Sequence, residues 1–180
     1  MNRIEIPLSK SKIFLMVVGS IVFVVLGILI TISPDTFISA HFRNPNEIRL
    51  GGIAGIIFFG AAVFYGIGKL LDKTPGLIVD DNGITDNTNA SSVGLINWVD
   101  ITEIKTQQIK STKFILIFTS NPEKYLEKVH GFKRKLMQAN MKMYGTPLSI
   151  ISNTLKLSYT DMEQLLNNKL NGQRETMPNR

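Results

Sequence analysis

The chain has no cysteine at all, two histidines and a single tryptophan among its 180 residues. Without thiols there is no disulfide staple, no thiolate metal ligand and no lipid-modified cysteine anchor. His41 and His130 fall on opposite sides of the membrane topology argued below, so they cannot meet at one zinc ion, which needs three or four ligands. No phosphate-binding loop and no Gly-x-Gly-x-x-Gly run is present. The hydroxyls are scattered, with no base placed to activate one. No catalytic residue, metal or cofactor is therefore expected, and the chain reads as a non-enzyme.

Charge is missing from two long stretches. Ile13 to Ile32 is twenty uncharged residues and Leu50 to Gly68 is nineteen. At about 1.5 Å per helical residue, each suffices for the hydrocarbon core of a bilayer. Neither holds an Asp, Glu, Lys, Arg or His, so no polar path for a solute runs through them. The first is too long for a signal-peptide core, and Ile38-Ser39-Ala40 is a poor cleavage site. The expected organisation is a cytoplasmic segment over 1–12, a transmembrane helix over 13–33, a short outer loop over 34–49 and a second transmembrane helix over 50–71. A cytosolic domain over 72–172 and a disordered tail over 173–180 follow.

Arg3, Lys10 and Lys12 before the first span, and Lys69 and Lys73 around the end of the second, outweigh Arg43 and Arg49 in the loop. Cytoplasmic flanks carry the excess of Lys and Arg, so both termini are expected inside. Within the loop, Phe37, Ile38 and Phe42 are apolar enough for the interface. Small residues let helices approach closely in lipid. Gly51 and Gly55 make such a pair in the second span, expected to pack on Gly19 and Gly27 of the first, with a homodimer seam as the alternative.

Beyond Lys73 the pattern changes to short apolar runs between turns. Asp81-Asn82-Gly83 reads as a hairpin turn of the kind that tolerates positive φ, not as a calcium loop. Gly94 to Lys105 reads as one strand with an irregularity at Trp98-Val99, and Lys113 to Ser120 as another. Trp98 is placed at the core or its edge, because an indole buries a large apolar area yet needs a partner for its N–H. A ligand-binding lip and a membrane contact are the other readings of Trp98. Asp100 is placed in a turn or hydrogen-bonding role. From Pro122 to Tyr144 the period becomes helical, with Tyr125, Val129, Phe132, Leu136 and Met143 on the apolar face and Leu126 and Met137 beside them. Leu148 to Ile151 and Thr154 to Leu157 are short strands. A capping box at Thr160 to Glu163 starts a closing helix that Gly172 ends.

Three stretches carry a family resemblance. They are Gly76-Leu77-Ile78-Val79 with Gly83-Ile84-Thr85, the Gly94-Leu95-Ile96-Asn97-Trp98-Val99-Asp100-Ile101 strand, and Ile150 to Leu157 with the helix around Met162 to Leu166. With the two spans, they resemble an uncharacterised family of small bacterial inner-membrane proteins that join a two-span hairpin to a cytosolic pleckstrin-homology-like domain. The resemblance implies an α+β cytosolic domain: an antiparallel barrel with an inserted helix and a C-terminal helix. It makes Gly94, Trp98, Asp100 and Ile101 a structural signature, implies location in the bacterial inner membrane, and implies no biochemical activity.

The function expected is a non-enzymatic, membrane-tethered binding or scaffolding module. An immunity-like or envelope-protective membrane protein is the alternative. The basic residues Lys128, Lys133, Arg134, Lys135 and Lys142 suit contact with anionic phospholipid headgroups. An unidentified membrane protein is the other expected partner. Nucleic acid is not, because the net charge of +6 is spread along the chain without an aromatic platform.

Overall fold

A computed structural model describes residues 3–39, 43–109 and 112–176, so the readings of His41, Phe42 and residues 177–180 lie outside the described residues. The chain divides into two compact units, Lys10–Lys73 on one hand and Met1–Ser9 with Thr74–Arg180 on the other.

The first unit is a helical hairpin. Helix α1 (Lys10–Ile32) and helix α2 (Pro45–Leu71) are both long and apolar enough to cross a membrane. A 3₁₀ turn, Pro34–Phe37, lies between them. Both helices begin before their expected starts, absorbing three residues before Ile13 and five before Leu50. The second extension has a clear cause: Asn44 caps α2 by accepting from the Asn46 N–H at 3.0 Å, and Pro45 occupies the first turn, where its missing N–H is harmless. At the open end, the Lys10 ammonium donates to the carbonyls of Lys69 (2.9 Å) and Asp72. A cation there satisfies carbonyls that the end of α2 leaves without partners.

The second unit is an α+β fold. Strands β1 (Ile4–Ile6), β2 (Leu77–Val79), β3 (Gly83–Asp86) and β4 (Gly94–Asn97) form one antiparallel sheet in sequential order. Strands β5 (Ile101–Ile109), β6 (Thr112–Thr119) and β7 (Leu148–Ile151) form a second. Among the described residues, these seven strands make two sheets, and no closed barrel is found. Between β6 and β7 lie helices α3 (Glu123–Glu127) and α4 (Gly131–Tyr144), and α5 (Tyr159–Thr176) follows β7. The core joins Leu77, Val79, Ile84 and Ile96 of the first sheet, Ile115, Ile117 and Ile150 of the second, and Met162 and Leu166 of α5.

Several expectations are corrected. The segment expected over 1–12 contains a strand, Ile4–Ile6, paired with Leu77–Val79, and its last three residues, Lys10 to Lys12, begin α1. The strand expected from Gly94 to Lys105 is cut by a 3₁₀ turn at Trp98–Asp100 that separates the two sheets. Gly83 has no positive φ; the turn is closed instead by Asp80, whose carboxylate accepts from the N–H groups of Asn82 (2.8 Å) and Gly83 (3.2 Å). Thr154 to Leu157 is no strand; it carries the isolated bridge Leu8–Leu155.

The single helix expected over Pro122 to Tyr144 is two. A left-handed residue, Gly131 at φ +61°, stands where they meet. The closing helix is capped two residues early, with Ser158 and Asp161 exchanging hydrogen bonds at 2.6 and 3.2 Å. It runs through Gly172, so residues 173–176 are helical and not a frayed tail.

Candidate functional site

The corner between the sheets is the best-defined polar site. Trp98 is 3 % exposed, and its Nε1 donates to the Asp80 carbonyl at 2.8 Å while its backbone N–H donates to Asn82 at 3.1 Å. The indole therefore ties the corner to the β2–β3 turn. Two residues on, Asp100 Oδ2 accepts from Lys124 Nζ (2.6 Å) and from the Tyr125 hydroxyl (2.7 Å). That hydroxyl in turn accepts from the Asn97 N–H at 3.2 Å, and Lys128 Nζ stands 4.7 Å from the Tyr125 ring centroid.

Burial alone would raise the Asp100 carboxyl, but hydrogen bonds from Lys124 and Tyr125 and the Lys124 charge outweigh it and leave the group below its ordinary value. Burial, then the hydrogen bond to Asp100, pushes the Tyr125 phenol upward. An ionised carboxylate with two committed donors and a phenol held protonated make a fastening between α3 and the β4–β5 corner. Ile101 is buried at the start of β5 and lies at this corner with Trp98 and Asp100, whereas Gly94 (φ +78°) opens β4 at its other end, opposite Asp86. Tyr125, completely buried, is in sequence only one apolar position on a helix; its role needs the fold that brings Asp100 to it.

The five basic residues are divided between the end of α3 and helix α4. Lys128 lies beyond the end of α3, over the Tyr125 ring. Lys133 and Arg134 are half-buried, whereas Lys135 and Lys142 are exposed. The break before Gly131 changes the phase of α4, so that Met137 becomes its buried residue, with Leu136, Asn140, Met141 and Tyr144 half-buried around it. Phe132 and Met143, expected to face the core, point the other way and are 74 % and 67 % exposed.

The small residues of the hairpin are also redistributed. Around Gly19, Gly51 and Gly55 an added Cβ would meet nothing within 4 Å, so these three do not pack the helices together. Gly27, Gly52 and Gly66 do. A Cβ at Gly52 would fall 2.9 Å from the Gly27 carbonyl oxygen and 2.6 Å from Thr31 Oγ1, and one at Gly66 would fall 2.5 Å from Val17 Cγ2. Phe23 and Phe59 stack beside this seam with ring centroids 4.5 Å apart. With no native thiols, a Phe23→Cys/Phe59→Cys pair reports the packing directly. Its cross-linking yield in membranes is expected to fall sharply with Gly52→Leu and to stay unchanged with Gly55→Leu. Equal yields in the two backgrounds would refute this seam.

No family model, curated protein or solved structure matches the chain.

Proposed function

We propose that this chain is a membrane-anchored binding module without catalytic activity, its β-domain held at the cytoplasmic face of a bilayer by a two-span hairpin. The observation that carries the reading is the pairing of β1 with β2. Ile4, Glu5 and Ile6 lie opposite Val79, Ile78 and Leu77, so one sheet contains strands from before and after the hairpin. Covalently, the helices are an insertion between two neighbouring strands. If α1 and α2 each cross the bilayer, the sheet can form only when both chain ends are on one side, which two crossings allow and one does not. Lys10, capping the end of α2 from the start of α1, supports the same arrangement, and the basic flanks favour the cytoplasmic side.

Seven antiparallel strands in sets of four and three, followed by a C-terminal helix, support the pleckstrin-like reading of the domain, with β1 as the strand that the hairpin separates from the rest. A domain of that kind, built around a structural corner, offers surfaces rather than chemistry. Reporter fusions test the topology. Alkaline phosphatase inserted after Ser39 is expected to be active, and fusions at the N-terminus and after Arg180 inactive. Phosphatase activity at either terminus would reject the arrangement.

A further inference from the structure

We propose that the outward face of α4 docks on an anionic lipid surface, with Phe132 and Met143 entering the headgroup layer and Lys135 and Lys142 pairing with lipid phosphates. This rests on the membrane-anchored reading and adds the surface and the lipid chemistry. Eleven residues are close to three full helical turns, so Phe132 and Met143 share one line along α4, about 16 Å apart. Between them on the exposed side lie Lys135, Ala139 and Lys142. Two large apolar side chains at the ends, a small one in the middle and two ammonium groups along one flank make the pattern of a helix lying in a membrane interface.

Charge decides the occupant. The sequence of α4, GFKRKLMQANMKMY, has four basic residues and no acidic one. Among the described residues, no ion pair engages Lys135 or Lys142, although Lys69, Lys105 and Lys124 each have a carboxylate partner. A cationic rim around an exposed phenylalanine complements anionic headgroups above an apolar interior. The attraction of each lysine to such a surface is weak in solution. Attachment to the hairpin makes the contact intramolecular, and the high effective concentration makes weak contacts sufficient. Docking would therefore orient the domain instead of recruiting it.

The test uses the full chain in nanodiscs. Single cysteines at Ala139 on this face, at Gln107 on the exposed part of β5 and at Ile57 on α2 receive a spin label, and collisions with oxygen and with a water-soluble nickel chelate are compared. In bilayers containing phosphatidylglycerol, the Ala139 label is expected to favour oxygen. In pure phosphatidylcholine it should favour nickel, as the Gln107 label does in both. Lys135→Glu with Lys142→Glu should reduce the docked-to-undocked ratio roughly thirtyfold, the equivalent of about 2 kcal/mol from two lysines. Phe132→Ser with Met143→Ser should also release it. An Ala139 label that stays aqueous on anionic lipid while the Ile57 label is immersed in lipid overturns the docking alone. A label shielded from both reagents marks coverage by protein and overturns it as well. If the Ile57 label is aqueous too, the membrane-anchored reading falls with it.

Discussion

A chain that begins at Thr74 is expected to lose cooperative folding, although it holds nearly all of the domain. What it lacks is the segment before the hairpin. Ile6 and Leu8 are 6 % and 3 % exposed, and Leu8 packs with Leu155 around Gly76. The backbone is fastened on both sides: Gly76 N–H donates to Ile6 (2.9 Å), Ser9 N–H to Thr154 (2.7 Å) and Lys156 N–H to Pro7 (3.1 Å). Truncating one buried aliphatic side chain typically costs about 2–5 kcal/mol, and two are lost together with these hydrogen bonds. The total stability of a domain this size is about 5–15 kcal/mol. The loss is therefore comparable with the whole, and β2 would be left as an uncovered edge.

Trp98, the only tryptophan, reports the core directly, so urea titrations followed by its emission provide the measurement. Rejoining Arg3–Ser9 to Thr74 through a flexible linker should restore a sharp transition, because the antiparallel register already sets Ile6 opposite Leu77. An equally sharp transition at the same urea concentration without residues 1–9 would show that β1 is dispensable.

The contribution of this segment could not be read from Ile4-Glu5-Ile6 alone. Three residues carry almost no periodicity, and their partner lies some seventy residues away across two apolar helices. The two long apolar helices were legible, because uncharged runs of that length carry an unbroken apolar pattern. Trp98 was legible as well: a lone indole beside an irregularity in a strand has few places to go. The two-sheet split was not, since a bend and a 3₁₀ corner look alike in sequence.

The buried face of α4 differs from the one its sequence periodicity indicates, for an identifiable reason. A helical phase counted continuously from Tyr125 puts Phe132 and Met143 inward, but the chain breaks before Gly131 and the count restarts. His-Gly at 130–131 was the available signal, since an internal glycine lowers helical preference by about 1 kcal/mol. The small-residue seam shows the converse limit. Gly51 and Gly52 are adjacent, and spacing rules nominate either; only the packed geometry assigns Gly52 to the seam and leaves Gly51 outside it.

Gly83→Ala is expected to be among the most damaging single-methyl changes in the domain. A Cβ there would lie 2.0 Å from the Ile96 carbonyl oxygen, 2.8 Å from its carbon and 2.9 Å from the Asn97 Cα. Every one of these atoms is backbone, so no side-chain rotation relieves the overlap. Relief requires separating β3 from β4 where Gly83 faces Asn97. That movement would also pull Trp98 from Asn82 and Asp80, because both hydrogen bonds connect the corner to this turn. A loss of about 3–5 kcal/mol is expected, at the upper end for a single substitution because it combines overpacking with broken hydrogen bonds. Gly172→Ala should act in the opposite direction. It lies inside α5, where an added Cβ meets nothing within 4 Å, so the gain in helical preference of about 1 kcal/mol comes without a clash. Urea midpoints of the full chain in detergent, read from Trp98, should fall for the first variant and rise slightly for the second. A Gly83→Ala chain that unfolds with the parent's midpoint would mean that β3 and β4 do not approach at this glycine, and that the corner does not depend on it.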